Sequence, residues 1–414
     1  MQQQSILPHL FRTEHQKMIS VLVRYFGTAY LEVAEDIVSD TFLAAAELWG
    51  LKGLPQNPAG WLYVTARNKA LDHLRRDKVF REKISPNLTA AAKSDMEAFE
   101  LDLSEPHVRD SQLAMLFVIC DPCNKPVAQI ALALNLLCGF GAEEIANAFL
   151  TDREVIYKRL QRAKKQLKDK QLAVERPSES QIKERLPEVL LTLYLLFNEG
   201  YLSEGAGAVI REELCQEAMR LTILLTESPL TALPATYALL ALMCFHGSRF
   251  DARLDVNGGI VLYQDQDRAL WDQQLINQGR HYMQLAMTDS KAVTKYHLEA
   301  AVAFWHSFPE EHPDKWPQIL QLYEQLLKLD YSPMAALNQV FALSKVEGKK
   351  KALSAAAKVH LDNHYLYHSL LGELYTGVDS ARAIWHLQKA IALARSAEGR
   401  RILDGKLRIL KERP

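Results

Sequence analysis

Between Asn57 and Arg76 one stretch carries aromatic rings at its head, Trp61 and Tyr63, and cations along its length, Arg67, Lys69, Arg75 and Arg76. Rings that stack on unpaired bases and guanidiniums that hold phosphates are the chemistry of single-strand nucleic-acid binding. The solvated basic face of an ordinary surface helix would use the same residue types. A second cationic run spans Thr151 to Arg176, where nine basic residues (Arg153, Lys158, Arg159, Arg162, Lys164, Lys165, Lys168, Lys170, Arg176) meet four acidic ones (Asp152, Glu154, Asp169, Glu175). Between Ser94 and Asp110 the balance reverses, and Asp95, Glu97, Glu100, Asp102, Glu105 and Asp110 face only Arg109. Such segregation, hidden in a whole-chain charge of -1, suits DNA-binding modules joined by an acidic tether.

Other chemistry-bearing groups are sparser. Cys120 and Cys123 form a C-x-x-C pair with no second pair at zinc-site spacing, so packing explains them better than metal or redox use, and neither a metal nor a cofactor is expected. Five cysteines in 414 residues make no disulfide framework, which points to a reduced cytoplasm. Asn198, Glu199, Glu217, His246, Asp267 and Arg268 offer polar groups, but no spacing among them defines a reaction. Hydrogen-bonded contacts between helices account for them, no catalytic residue is assigned, and the protein is not expected to be an enzyme. The longest apolar run, Leu233 to Phe245, is too short to cross a bilayer, and no membrane contact is expected.

The elements that position these groups read as helices nearly throughout, an all-α chain whose 48% hydrophobic content suffices for sizeable cores. Leu10, Phe11, Ile19, Leu22, Val23 and Phe26 line a first helix that Gly27 can end. A second helix, Ala34 to Trp49, turns Ile37, Thr41, Ala44 and Leu48 to one face while Glu32, Asp36, Asp40 and Glu47 add acid on another. Gly50 to Pro58 reads as a loop. Asn57 as N-cap and Pro58 at the first helical position then start the third helix, with Leu62, Ala66, Ala70 and Leu74 inward. Lys83 to Asp110 reads as a flexible polar linker with Pro86 and Pro106. Helical pattern returns at Ser111 to Cys120 and Val127 to Leu137. Gly141 to Lys168 then reads as a helix-turn-helix: Ile145, Ala146 and Phe149 on a short helix, Leu150 and Thr151 at the turn, a capping box of Thr151 with Glu154, and Ile156, Leu160, Ala163 and Leu167 inward. A plain helical hairpin would look similar.

Beyond Pro177 the charge is balanced and the chain helical to its end, apart from Asn257 to Tyr263, where Gly258-Gly259 before I-V-L-Y suggests a small hairpin. Leu371-Gly372, Tyr375, Ala383, Leu387 and Ala390 echo a tetratricopeptide pattern, and Trp316 to Lys345 looks like a helix pair of that kind, so a helical solenoid is expected at this end. The expected domains are 1–82, the linker 83–110, the helix-turn-helix 111–176, a helical extension 177–310 and repeats over 311–414.

Taken together and in order, these segments resemble the extracytoplasmic-function sigma factors of the sigma-70 family. Ala34 to Trp49 is similar to region 2.2, Asn57 to Arg76 to regions 2.3 and 2.4, and Glu143–Leu150 with Val155–Lys164 to region 4.2. The C-terminal half resembles a subgroup with a long tetratricopeptide-like extension, through Phe197-Asn198-Glu199-Gly200-Tyr201, Leu214-Cys215, Glu217-Ala218, Arg220-Leu221, Leu240 to Met243, and Asp265 to Arg268 with Trp271-Asp272. At Ile119-Cys120-Asp121-Pro122 the chain departs from the Cys-Cys-His-Pro common in relatives, which weakens any borrowed metal or redox role.

The resemblance implies a factor that binds core RNA polymerase, through the beta-prime clamp helices and the beta flap, and promoter DNA. It would assign Asp36, Asp40 and Phe42 to core binding. Lys52, Gln56 and Asn57 fall on the loop that takes a flipped minus-10 base, and Trp61, Arg67, Asn68, Arg75 and Arg76 on the helix that holds the melted strand. Arg153, Glu154, Tyr157, Lys158 and Arg162 would read or clamp the minus-35 duplex. The C-terminal helices would bind a protein or peptide and gate the sigma modules. The rival reading is a helix-turn-helix regulator with a tetratricopeptide-like interaction domain that binds duplex DNA without polymerase.

Overall fold

The computed structural model describes residues 3–76, 104–149, 151–201, 211–253, 261, 263–288, 293–308, 312–394 and 397–412. Among the described residues the regular structure is helical, with no strand, as the periodicity predicts. The chain divides into two compact units, Met1–Thr192 and Leu193–Pro414.

The first unit begins with α1 (Gln3–Phe26), a 3-10 turn (Thr28–Tyr30), α2 (Leu31–Lys52) and α3 (Pro58–Arg76). Met18, Ile19, Leu22, Val23 and Phe26 bury the apolar stripe of α1 against Ile37, Val38 and Ala45 of α2 and Leu62, Ala66 and Ala70 of α3. Each large side chain so buried contributes about 1.5–3 kcal/mol. Gly27 takes φ 80, a conformation open to glycine, and donates to Val23 O at 2.8 Å, which stops α1 where expected. At the end of α2 the expectation is corrected. The helix runs through Gly50 to Lys52, because no atom crowds Gly50 and the chain turns only at Gly53, with φ 82 and an N–H bond to Trp49 O at 3.1 Å. Lys52 therefore sits on the last turn of a helix, and the loop is confined to 53–57.

Most of the acidic linker lies outside the described residues, but its end is corrected too. Helix α4 (Glu105–Ile119) starts inside the stretch read as linker, with Ser104 at the N-cap position and Pro106 in the first turn, where a missing N–H costs nothing. Val108 and every residue from Ser111 to Ile119 are buried, and α4 lies along α1. Next come α5 (Pro126–Leu136), α6 (Ala142–Ala148), α7 (Arg153–Lys170) and α8 (Glu179–Tyr201); α5 packs on α4, and α5 and α6 both pack on α7. The inward residues of α7 are Ile156, Leu160, Ala163 and Leu167, as the spacing predicts.

The predicted capping box of Thr151 with Glu154 does not form. The Thr151 N–H closes the preceding helix on Ala146 O at 3.0 Å, Asp152 takes the N-cap position of α7, and Glu154 pairs with Lys158 at 3.3 Å.

In the second unit, α10 (Pro234–Gly247) is buried on nearly all sides and packs against α9 (Glu212–Thr226), α11 (Gln273–Ala286) and α12 (Lys295–His306). Gly279 of α11 admits the Phe245 ring, since a Cβ there would lie 2.7 Å from Cε1. Paired helices follow: α13 (Lys315–Leu329) with α14 (Pro333–Val346), then α15 (Lys349–Ala356), α16 (Tyr365–Tyr375), α17 (Ser380–Leu393) and α18 (Ala397–Glu412). Gly372 lets α16 approach α17 closely; a Cβ would meet Leu387 Cγ at 2.8 Å. Of the proposed hairpin from Asn257 to Tyr263, residues 257–260 and 262 lie outside the described residues, while Tyr263–Asp265 form a 3-10 turn.

Candidate polymerase and promoter interface

On α2, Asp36 and Asp40 are exposed, while Phe42 is 5% exposed and packs its ring on Phe11 at 5.1 Å and His15 at 5.7 Å. The two carboxylates are presented to solvent, while the ring packs toward α1. Past the turn, Lys52, Gln56 and Asn57 are exposed. Asn57 caps α3, its Oδ1 accepting the Gly60 N–H at 2.9 Å, which fixes the direction of the helix leaving the loop. Trp61 is half-buried and meets Trp49 edge to face at 5.4 Å, Arg67 is half-buried, and Asn68 is exposed. The side chains of Arg75 and Arg76 lie outside the described residues. On α7, Arg153, Glu154, Tyr157, Lys158 and Arg162 all face solvent, and the Tyr157 hydroxyl accepts from Gln161 Nε2 at 3.1 Å. The short α6 packs against this basic helix.

A further set of contacts joins residues the spacing did not single out. Lys164 of α7 donates to both oxygens of Glu35 on α2, at 2.6 and 2.9 Å, and Lys168 lies 3.8 Å from Glu32. The buried Thr28 hydroxyl is shared between Leu167 O at 3.0 Å and Leu172 O at 3.2 Å, just where α7 ends in the left-handed Gln171. Together these side chains line a cleft of about 680 Å³ with Tyr157 and Gln161 at its basic wall and Glu32 and Glu35 at its acidic wall. Part-burial strengthens the Glu35–Lys164 pair beyond an exposed one, to about 1 kcal/mol.

A second anchor lies at the C-x-x-C turn. Asp121, 1% exposed, accepts the Cys123 N–H at 2.9 Å and Lys170 Nζ at 2.8 Å through Oδ1, and pairs with Arg185 at 3.0 Å through Oδ2. Burial alone would raise this carboxyl, but Lys170, the Cys123 N–H and Arg185 outweigh it and hold the group below its ordinary value. The end of α7 and the start of α8 are thus tied to the turn between α4 and α5. Burial pushes the neighbouring thiols up, Cys120 to about 12 and Cys123 to about 11, so both stay protonated and unreactive. Among the described residues no group of three or more His, Cys, Asp or Glu could hold a metal, and no helix is long and apolar enough to cross a membrane.

The one sequence signal for these contacts was charge: acid at 32–47 and base at 153–176. Nothing in the pattern paired Glu35 with Lys164, 129 positions away.

With this geometry described, two family models and one relative match the chain. Residues 10–79, spanning α1 to just past α3, match Sigma-70 region 2, and residues 185–287 match a Family of unknown function (DUF6596). Over 388 residues, 92% of this chain and 90% of the relative, the sequence is 34% identical to the Uncharacterized protein R00370 of Rhizobium meliloti (strain 1021). No solved structure matches the chain. Residues 10–79 are thus a Sigma-70 region 2 domain, which supports a sigma-70 family member. Region 2 carries sigma-factor function, which implies binding to core RNA polymerase and to promoter DNA.

Proposed function

We propose that the protein is an initiation factor of the extracytoplasmic-function type, acting without chemistry of its own, in which α2 docks on core polymerase, the 53–57 loop and α3 hold the melted minus-10 strand, and α7 reads the minus-35 duplex. The observation that carries this reading is one unit that presents the Asp36 and Asp40 carboxylates on a region 2 helix and the Arg153, Lys158 and Arg162 cations on a helix-turn-helix. Arginine is suited to bidentate contacts with guanine and phosphate. Reading two promoter elements needs two modules free to separate, so the Glu35–Lys164 pair and the Thr28 bonds belong to a resting form in which the basic helix leans on the polymerase-binding helix. The second unit acts as the regulatory extension, and its stacked helix pairs are a tetratricopeptide-like surface for a protein or peptide.

Transcription from a defined promoter template by purified core, with and without the protein, tests the reading. A sigma factor confers initiation on core alone, whereas a polymerase-independent regulator binds the duplex and leaves core silent. Asp36→Arg with Asp40→Arg is expected to abolish copurification with core, and a retained complex rejects the assignment of α2. Arg162→Ala is expected to weaken promoter binding by the holoenzyme and flatten its salt dependence, with core binding intact.

A further inference from the structure

Within the second unit, cations and aromatic rings gather between the end of α8 and the start of α13. Arg249 donates to the Tyr201 hydroxyl at 3.0 Å, approaches His246 Nδ1 at 3.3 Å, and stands 5.5 Å from the centre of the Tyr263 ring. Arg253 lies over the Tyr201 ring at 3.9 Å. Lys315, 3% exposed, donates to the Tyr263 hydroxyl at 2.9 Å, and that hydroxyl in turn donates to His306 O at 2.9 Å. Trp271, 4% exposed, closes the group with its ring 6.0 Å from that of Tyr263.

Glu199 stands near Arg211 at the edge of this cluster. Among the described residues no carboxylate lies at ion-pair distance from Arg249, Arg253 or Lys315. Three donors are buried without a hydrogen-bond partner, Arg253 Nη1, Arg211 Nη1 and Trp271 Nε1, as are His306 Nδ1 and the acceptor Gln266 Oε1. Native proteins rarely leave buried donors unpaired, and a set of them in one neighbourhood calls for an acceptor. Helix ends explain only part of the arrangement. Arg249 and Arg253 follow the C-terminus of α10, where positive charge is favoured, but Lys315 is the first residue of α13, where the helix dipole disfavours an ammonium and favours an anion. Burial first, then Arg249 and Lys315, push the His306 imidazole down to about 3, and burial with Arg249, Arg253 and His306 lowers His246 as well, so neither ring adds charge.

We propose that this cluster binds a small oxyanion, a carboxylate or phosphate on a flat apolar body, with Arg249, Arg253 and Lys315 meeting the charge and Tyr201, Tyr263 and Trp271 packing the body. Guanidinium forks bond oxyanions in pairs, and the donors of Trp271 and Arg253 gain the acceptor they lack. The extension is then a sensor for an anionic small molecule, independent of any protein it also binds.

Calorimetric titration of the full chain with inorganic phosphate, phenyl phosphate and benzoate tests this. Saturable binding of phenyl phosphate or benzoate is expected, the stronger of the two naming the headgroup, and it should weaken about tenfold or more in Arg253→Gln and in Lys315→Met. Tyr263→Phe, which removes only the hydroxyl that holds Lys315 and keeps the ring, is the milder variant should the others fail to fold; about a threefold change in affinity is expected. No heat with any of the three anions at about 10 mM, or equal binding by parent and variants, overturns the proposal, the second result meaning an adventitious ion only. The assay contains neither polymerase nor promoter, so its failure leaves the sigma reading intact.

Discussion

The two units treat buried charge in opposite ways. In the first, each part-buried carboxylate at the module contacts has its cation: Glu35 has Lys164, and Asp121 has Lys170 and Arg185. In the second, Arg249, Arg253 and Lys315 are held by aromatic rings and by hydroxyl and ring-nitrogen acceptors, with no carboxylate partner among the described residues. Paired charge inside one chain makes a latch, whose cost of opening is set by what replaces each partner. Cations with no carboxylate partner among the described residues suit the proposed receptor, because an anion from outside the chain would supply that stabilisation. The same residue types thus serve conformation in one unit and recognition in the other.

The largest expected effect comes from the latch at Asp121. Asp121→Ala removes the acceptor of one N–H and two cations and should destabilise the first unit by about 2 kcal/mol, lowering its melting temperature by roughly 4–8 °C. Because the folded carboxyl titrates below its ordinary value, its contribution is complete above the unfolded pKa and fades as pH falls through the folded one, so Asp121→Asn should flatten the acid limb of the stability profile. An unchanged acid limb would mean that Asp121 is not the latch. Next in size is Glu35→Lys, expected to cost about 1.5 kcal/mol by setting two ammoniums together, with most of the loss recovered in the double variant Glu35→Lys, Lys164→Glu. A double variant as unstable as the single one would deny that the pair forms.

Lys315→Met should have the opposite sign. Replacing a buried cation that has no carboxylate with an apolar chain is expected to raise the stability of the anion-free second unit by about 1 kcal/mol, read by thermal unfolding, whereas Lys164→Met should lower that of the first. Equal signs at the two lysines would dissolve the contrast. A pH-dependent effect lies at Glu299, where burial pushes the carboxyl up to about 7 while the Tyr194 hydroxyl and Lys295 partly restrain it. A folded pKa above the unfolded one means that stability falls as pH rises between the ordinary carboxylate range and about 7. Glu299→Gln should therefore melt higher than the parent at pH 8 and no higher at pH 4.

Much of the helical framework was legible because its signal is local. Leu62, Ala66 and Ala70 on α3, and Ile156, Leu160, Ala163 and Leu167 on α7, are buried at the spacing that marks them. Gly27 ends α1 through a backbone angle that its residue type advertises. Local signals misled where a residue had two uses. Pro106 reads as a breaker yet sits in the first turn of α4, Gly50 reads as loop yet continues α2, and Thr151 reads as a cap yet closes the helix before it.

Tyr263, Trp271 and Lys315 were invisible as a group because they come from three different segments. So was the fate of the acidic stripe: Asp36 and Asp40 stay exposed while Glu35, one residue earlier and thus on another face of the helix, turns to Lys164.

The amino-acid order by itself determined the helices, most of their inward faces and the separation of acid from base along the chain, since each follows from a 3.6-residue period or from side-chain type. Tertiary structure alone decided which charges meet. Ion pairing depends on distances of about 3–4 Å between groups far apart in the chain, and no local pattern encodes them. The packing of α7 beside α2 closed one set of charges on itself, and the gathering of three cations around Tyr201 and Tyr263 left the other set open.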